Sequence, residues 1–210
     1  MANISAKTGR MVRLAVFIAI IFLLEVTNLG FIKTPALELT IMQIPVLVGA
    51  ITLGPASGAL LGGVFGLTSF YQCFGKSEVG ATLLGINPFY TFIVCMVPRI
   101  LMGWLCGLIF RSLYHINKTK VLSFAVASLS GALLNTVFFM SALMLLFGRT
   151  DFIMGLREGR NVLSFIVWLV GIQGLIEALV CFFIGTAISK ALYGLMNPTP
   201  PQRQQLTEGP

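Results

Sequence analysis

The sequence predicts an all-α membrane protein in which six helices cross the bilayer and both termini lie in the cytoplasm. Of the 210 residues, 57% are hydrophobic and only 10% are charged, whereas soluble domains carry about 25% charged residues. The mean hydropathy of +0.94 agrees, because a soluble core of this size could not hide so much apolar surface. Apolar runs long enough for membrane helices complete the pattern.

The first two runs differ in length. Residues 14–32 follow a polar, basic start and are too long for the apolar core of a cleaved signal peptide, so we expect a retained helix. Residues 39–53 form a short second run that contains Pro45, and this proline predicts a kink. Gly54 and Pro55 then predict a tight turn into the third helix.

The remaining runs predict helices over residues 56–74, 90–114, 121–147 and 162–196. No polar stretch is long enough for a second folded unit, so we expect one membrane domain over residues 1–196. Residues 197–210 are polar and rich in proline, which predicts a disordered cytoplasmic tail.

Basic residues set the predicted orientation. Eight of them fall on the side of the two termini and five on the opposite side, and the flank of the first helix, with Lys7, Arg10 and Arg13, weighs most. On the opposite, outer side, residues 75–88 and 148–161 form connections much longer than those inside. Long loops in a compact protein are often binding loops or lids, which suggests capture of something from outside.

Arg99, directly after Pro98, is the one cation well inside a predicted span. Hydrocarbon makes a buried cation costly, so it must be paired or serve a site. An ion pair with Glu25 or Glu177 is one interpretation. The other is recognition of an anionic ligand group, for which a guanidinium is well suited.

Other polar side chains are candidates for the same site. Asn28, Asn135 and Gln173 are amides within apolar runs, and each fits a hydrogen bond to a polar ligand as well as one between helices. Asn87 and Tyr90 fall near the outer surface at the start of the fourth helix, where tyrosines commonly anchor the interface.

Small residues recur at a spacing of four. Gly58, Gly62 and Gly66 line one face of the third helix, which favours close helix packing inside the protein. Ala15 and Ala19 stand in the same relation on the first helix. There, a partner subunit is an alternative to internal packing.

Several function classes are excluded by what the sequence lacks. It has no phosphate-binding glycine loop and no HExxH or GxSxG pattern, so we expect neither ATP hydrolysis nor another enzymatic activity. A lone histidine and four cysteines in or beside apolar runs predict no metal site. The basic residues form no stripe, which argues against nucleic acid. We expect no cofactor.

Three stretches make the chain recognisable. They are AVFIA at 15–19, TIMQIPVLVGAITLGPASGALLGGVFGLTS at 40–69 and VPRILMGWLCGLIF at 97–110. With them the chain resembles the substrate-binding (S) components of energy-coupling factor (ECF) vitamin transporters over about residues 8–195. It looks most like the pantothenate-specific members, through the IPV-G-LGP-G-G-FG run, the NPFY segment and the following PRI.

The resemblance implies a six-helix bundle in the plasma membrane with a pocket near the outer face. It also implies a scaffold membrane subunit and two cytoplasmic ATPases as partners, with Ala15 and Ala19 in the place that docks on the scaffold. Family pockets draw on helices four to six and on the first, third and fifth loops, which points to the positions of Arg99, Asn135 and Gln173.

The hypothesis is a non-catalytic subunit that captures a small vitamin from outside, with pantothenate preferred. The carboxylate would pair with Arg99, and Asn28, Asn135 and Gln173 would bind its hydroxyls and amide. Three alternatives remain open: an S component for another vitamin such as riboflavin, an autonomous secondary transporter, and a structural or assembly protein of the membrane.

Overall fold

The computed structural model describes residues 2–27, 30–33, 38–116, 120–157 and 159–196. In chain order, the elements are α1 (Ala2–Val26), β1 (Phe31–Lys33), β2 (Glu38–Thr40), α2 (Gln43–Leu53), α3 (Pro55–Gln72), α4 (Glu78–Ile86), α5 (Pro88–Ile116), α6 (Lys120–Phe147), α7 (Asp151–Arg157), α8 (Val162–Val180), a π-helical turn (Cys181–Gly185) and α9 (Thr186–Met196). The last three run on without a break. The predicted tail over residues 197–210 lies outside the described residues.

The membrane class is confirmed by length and composition. Among the described residues, Pro88–Ile116, Lys120–Phe147 and Gly174–Met196 are long and apolar enough to cross a bilayer, and Gln43–Leu53 is a shorter apolar helix. Large apolar side chains point outward from these segments, as they must where lipid is the solvent; they include Val97, Trp104, Val137, Leu145 and Leu195. The count of six spans stays a prediction.

The first predicted helix is too long at its carboxyl end. The helix ends at Val26 instead of residue 32, and Phe31–Lys33 pairs antiparallel with Glu38–Thr40, Phe31 opposite Thr40. The N–H of Gly30 donates to the carbonyl of Leu24 (3.1 Å), and the N–H of Ile41 donates to Gly30 (2.8 Å), which closes the base of this hairpin. An apolar run indicates burial but does not separate a helix from a buried hairpin.

Pro45 produces no break within α2, contrary to the predicted kink. The helix begins at Gln43, so Pro45 is its third residue. The first turn of a helix has no intrahelical acceptor for its N–H groups, and a proline there removes no hydrogen bond. The predicted turn at Gly54 is confirmed: its φ of 94° suits glycine, and Pro55 starts α3.

Both long connections on the predicted outer side contain a helix. Ser77 caps α4 by accepting a hydrogen bond from the N–H of Gly80 (3.3 Å), and α7 lies between α6 and α8. Leu83, Val94, Phe147 and Ile153 pack together and bring α4, α7 and the neighbouring ends of α5 and α6 to one end of the bundle. We call this the loop end.

Glycines set the closest contact in the bundle, that of α3 with α5. A Cβ added at Gly62 would overlap the carbonyl of Arg99, and Gly58 and Gly103 face each other so closely that neither could carry one. Gly66 meets α5 in the same way, at Met96. The glycine face of α3 therefore packs inside the protein, as predicted.

Candidate functional site

Pro98 and Arg99 together determine where the buried guanidinium lies. A proline within a helix has no N–H to give to the carbonyl four residues earlier, which in α5 is the carbonyl of Val94. Arg99 Nη1 donates to that carbonyl instead (2.8 Å), and Nη2 donates to Ser69 Oγ on α3 (3.4 Å). The side chain therefore points along α5 toward the loop end.

Aromatic rings hold the same guanidinium. Its central carbon lies 4.5 Å from the ring centre of Phe139 on α6 and 5.6 Å from that of Phe65 on α3. Arg99 is 8% exposed, and its Nε finds no hydrogen-bond partner in the described part of the chain. Stacking and two hydrogen bonds thus fix the position of the cation while its Nε donor stays unused.

Asn135 lies one turn before Phe139 on α6, so the two residues share a helix face. It is 8% exposed, and its Oδ1 has no hydrogen-bond partner among the described residues. An unpaired buried amide oxygen is costly in a native structure. Arg99 Nε and Asn135 Oδ1 are thus an unused donor and an unused acceptor on two neighbouring helices.

Glu177 belongs to α8, and its carboxylate lies beside the amino-terminal end of α2. Its Oε1 accepts from the backbone N–H of Thr40 (2.7 Å), and its Oε2 accepts from Gln43 Nε2 (3.5 Å). The positive end of the α2 dipole favours a carboxylate here. Glu177 therefore joins α8 to the start of α2 within the bundle. Gln43, Arg99, Asn135 and Glu177 are buried polar residues of four helices, and we call them the polar cluster.

Glu25 belongs to a different place. It accepts from Lys76 Nζ (2.8 Å) and from the side-chain amide of Gln72. This contact ties the end of α1 to the turn after α3. Of the two partners that the sequence suggested for Arg99, Glu25 is thus engaged elsewhere.

Asn87 and Tyr90 lie apart from the polar cluster. Asn87 Oδ1 accepts from the N–H groups of Phe89 and Tyr90 (both 3.1 Å) and so caps α5. Tyr90 is 39% exposed and meets the ring of Phe147 edge-on at 6.1 Å. Tyr90 precedes Arg99 by nine positions, which corresponds to roughly 14 Å along the helix.

An open cleft of about 460 Å³ lies at the loop end. It runs between α4 and α7, lined by Thr82, Ile86, Arg149, Thr150, Asp151 and Phe152. Its depth is that of Asn87 and Tyr90 rather than that of Arg99. Its position suits an access route better than the recognition site itself.

The other predicted residues have varied positions. Asn28 lies outside the described residues, and so does the side chain of Gln173, which precedes Glu177 by one turn of α8. Ala15 and Ala19 are exposed on α1, whose opposite face packs Phe17 and Ile21 into the core. The predicted docking pair is therefore accessible.

Sequence reasoning missed Gln43, Ser69 and Phe139. Gln43 comes just before an apolar run and resembles an ordinary helix start, while Ser69 and Phe139 carry no charge to mark them. The Pro-Arg pair was a readable signal, since a proline frees the carbonyl that the next side chain can reach. Contacts between distant helices gave no such signal.

The bundle and its buried polar cluster define a helical membrane protein with polar side chains in its interior. A family model for the ECF transporter substrate-specific component matches residues 9–189, and the chain belongs to this family. It is therefore a transporter component, and such components are not themselves catalytic.

Two relatives indicate the subgroup. The chain is 30% identical over 195 residues to the Pantothenate transporter PanT of Leuconostoc mesenteroides subsp. mesenteroides, covering 89% of this chain and 93% of the relative. It is 28% identical over 206 residues to the Pantothenic acid transporter PanT of Lactococcus lactis subsp. cremoris, covering 91% and 97%. The predicted resemblance to S components, and among them to the pantothenate members, is confirmed.

Proposed function

We propose that this protein is the S component of an ECF-type importer and that it binds pantothenate from outside the cell. The names of both relatives support this substrate. The observation that carries the proposal is Arg99, a buried cation held by two hydrogen bonds and two rings with its Nε unused. Pantothenate is anionic at neutral pH, and its carboxylate would complete the hydrogen bonding of this guanidinium.

Asn135 would serve the polar part of the vitamin. Its free Oδ1 accepts hydrogen bonds, so a hydroxyl or the amide N–H of pantothenate would satisfy it. Gln173 remains a proposed ligand contact on the strength of the family resemblance, and Asn28 remains one as an amide within an apolar run. Asn87 and Tyr90 would lie along the route to the site instead of in it.

The proposed topology places both termini in the cytoplasm of a cell whose plasma membrane the chain crosses six times. The proposed membrane domain covers residues 1–196. The loop end then faces outward, and α4 and α7 would close over the bound vitamin. A scaffold subunit that docks on Ala15 and Ala19, with two ATPase subunits, would drive release inward.

Arg99→Ala tests the site directly. It should weaken pantothenate binding by more than about tenfold, since it removes a desolvated charged contact, and isothermal titration of the detergent-solubilised protein measures this. Arg111→Ala is the matched control, because Arg111 is an exposed arginine of the same helix. Unchanged affinity in Arg99→Ala, with affinity retained in the control, would remove Arg99 from the site.

Substrate competition and uptake separate the alternatives. Riboflavin, which is larger and aromatic, should not displace pantothenate; if it binds instead, the S component serves another vitamin. Uptake should require co-expressed scaffold and ATPase subunits. Uptake driven by an ion gradient in their absence would indicate a secondary transporter, and a chain that binds no small molecule would indicate an assembly role.

A further inference from the structure

Gln43 is a fully buried glutamine whose side-chain amide has a defined orientation. Its Nε2 lies 3.5 Å from the carbonyl oxygen of Thr40 and 3.5 Å from Glu177 Oε2, and the residue is 0% exposed. Both neighbours are acceptors. The amide must therefore turn its NH₂ group toward them, because the reverse orientation would place its oxygen against a carboxylate.

This orientation leaves Gln43 Oε1 facing away from Glu177. The oxygen has no hydrogen-bond partner among the described residues. An amide oxygen buried without a partner is unfavourable, and natural proteins rarely keep one without a reason. Glu177, in turn, accepts from the Thr40 N–H (2.7 Å), which holds its carboxylate beside Gln43.

The depth of Gln43 matches that of the proposed site. α2 has 11 residues, roughly 16 Å of helix, which is about half of a membrane crossing, so its first residue lies well inside the bundle. Val46 and Ala50 of α2 lie against Gly103 and Gly107 of α5, so Gln43 lies near the level of Arg99. Unused polar atoms of Gln43, Arg99 and Asn135 thus come from three helices that pack together.

We propose that Gln43 is a specificity residue of the substrate site, whose Oε1 accepts a hydrogen bond from a hydroxyl or amide N–H of the substrate. The inference rests on the proposed function and deepens it. Arg99 selects the anionic group, and Gln43, held as a pure acceptor by Glu177, selects a neutral donor elsewhere on the same molecule. An analogue that keeps the carboxylate but lacks that donor is rejected, because Gln43 Oε1 then stays buried and unpaired.

The test compares pantothenate with three analogues, each with one donor blocked: either hydroxyl methylated, or the amide nitrogen methylated. The affinity of the wild-type protein for at least one analogue should be lower than its affinity for pantothenate by a factor of about ten or more. In Gln43→Leu the difference between pantothenate and that analogue should fall to about threefold or less. Isothermal titration with each compound measures the ratio of pantothenate affinity to analogue affinity in the wild type and in Gln43→Leu.

Gln72→Leu is the matched control. Gln72 is also a buried glutamine that donates to a buried glutamate, Glu25, where the end of α1 meets the end of α3. It should retain the full preference for pantothenate over the analogue. A preference that survives in Gln43→Leu, or that disappears equally in Gln72→Leu, would overturn the assignment.

A second variant protects the test against misfolding. Gln43→Asn keeps the amide but withdraws its oxygen by one methylene, so it should show the same loss of preference at a melting temperature near that of the wild type. Full discrimination in this variant would also contradict the inference. If the wild-type protein does not bind pantothenate at all, the proposed function fails, and that result is distinct from a failure of Gln43 alone.

Discussion

Pro98 and Arg99 show how one residue can position its neighbour. The proline takes away the helical donor for the Val94 carbonyl, and the arginine supplies a replacement from its side chain (2.8 Å). This exchange satisfies a backbone group that hydrocarbon would otherwise leave unpaired. It also holds the guanidinium at a fixed place beside Phe139, ready for an anion.

Replacing the proline tests this pairing. In Pro98→Ala the new backbone N–H should bond to Val94 and displace Arg99 Nη1. Pantothenate affinity should then fall by about threefold to tenfold, the net contribution of one typical hydrogen bond, while the melting temperature stays the same or rises. Isothermal titration measures the affinity, and thermal unfolding in detergent measures the melting temperature. An unchanged affinity would show that the proline does not position the guanidinium.

At the level of single residues, the sequence allowed a partial prediction of the site. Arg99 and Asn135 could be picked out because a charge or an amide in an apolar run is unusual. Gln43 could not, since its importance comes from Glu177, which lies 134 positions away. Asn87 looked like a ligand residue, but capping of α5 accounts for its side-chain oxygen.

Among the elements, α3 and α5 form the contact on which the site most depends. Gly62 lets the α3 backbone approach the backbone of Arg99 itself. Any widening of this contact therefore displaces the residue that carries the proposed recognition.

Gly62→Ala should both destabilise the bundle and weaken binding. The new Cβ would meet the Arg99 carbonyl and the Ile100 backbone, which cannot move aside as a side chain can, and overpacking of this kind costs about 1–3 kcal/mol. Gly63→Ala is the control, because its Cβ would lie at an ordinary 3.8 Å from the Ile100 side chain. Equal melting temperatures for the two variants would contradict the packing described.

The contact of Glu25 with Lys76 predicts a pH dependence. The hydrogen bond to Glu25 raises the pKa of Lys76 above its usual value of 10.5. A raised folded-state pKa contributes stability that is fully present below the unfolded pKa and is lost as the pH rises through the folded one. Lys76 is 43% exposed, so the contribution is under about 1 kcal/mol.

The test is thermal unfolding of the wild type and Lys76→Gln between pH 8 and pH 12. The wild type should be slightly more stable than Lys76→Gln up to about pH 10.5, and this difference in stability should disappear at higher pH. Lys190→Gln changes an exposed lysine of α9. Its stability difference from the wild type should not change in the same way as the pH rises above about 10.5. A difference between wild type and Lys76→Gln that stays constant to pH 12 would rule out the contact.

Element positions were largely predictable, and the exceptions have one cause. Hydropathy located the runs that became α2, α3, α5, α6 and the final helix, because burial in lipid follows composition directly. It extended α1 through residues that form a hairpin, and it treated α4 and α7 as loops. Short elements depend on caps such as Ser77 and on packing against neighbours, which hydropathy does not record.

At the scale of the whole molecule, the proposed binding site and the proposed docking surface lie in separate places. The polar cluster lies inside, whereas Ala15 and Ala19 are exposed on the side of α1 that faces away from the core. Binding and docking should therefore be separable by mutation. The sequence alone suggested both surfaces, through the family resemblance, but did not show that they lie apart.

Ala19→Trp should impair docking on the scaffold subunit without affecting pantothenate binding. The bulky ring would block close approach of a scaffold helix, so uptake of labelled pantothenate by cells that express the complete transporter should fall at least about tenfold, a loss of docking free energy of about 1.4 kcal/mol or more. Pantothenate affinity of the isolated subunit should be unchanged. Ala187→Trp, at an exposed alanine on α9, should retain uptake. Normal uptake in Ala19→Trp would place the docking surface elsewhere.

The central claim is that a buried cation on α5 binds an anionic vitamin within this bundle. Isothermal titration of pantothenate into the purified wild-type protein tests it most directly. We expect saturable binding of one molecule per chain, undisturbed by riboflavin. An absence of saturable binding, or binding of pantothenate and its neutral alcohol with equal affinity, would contradict the account.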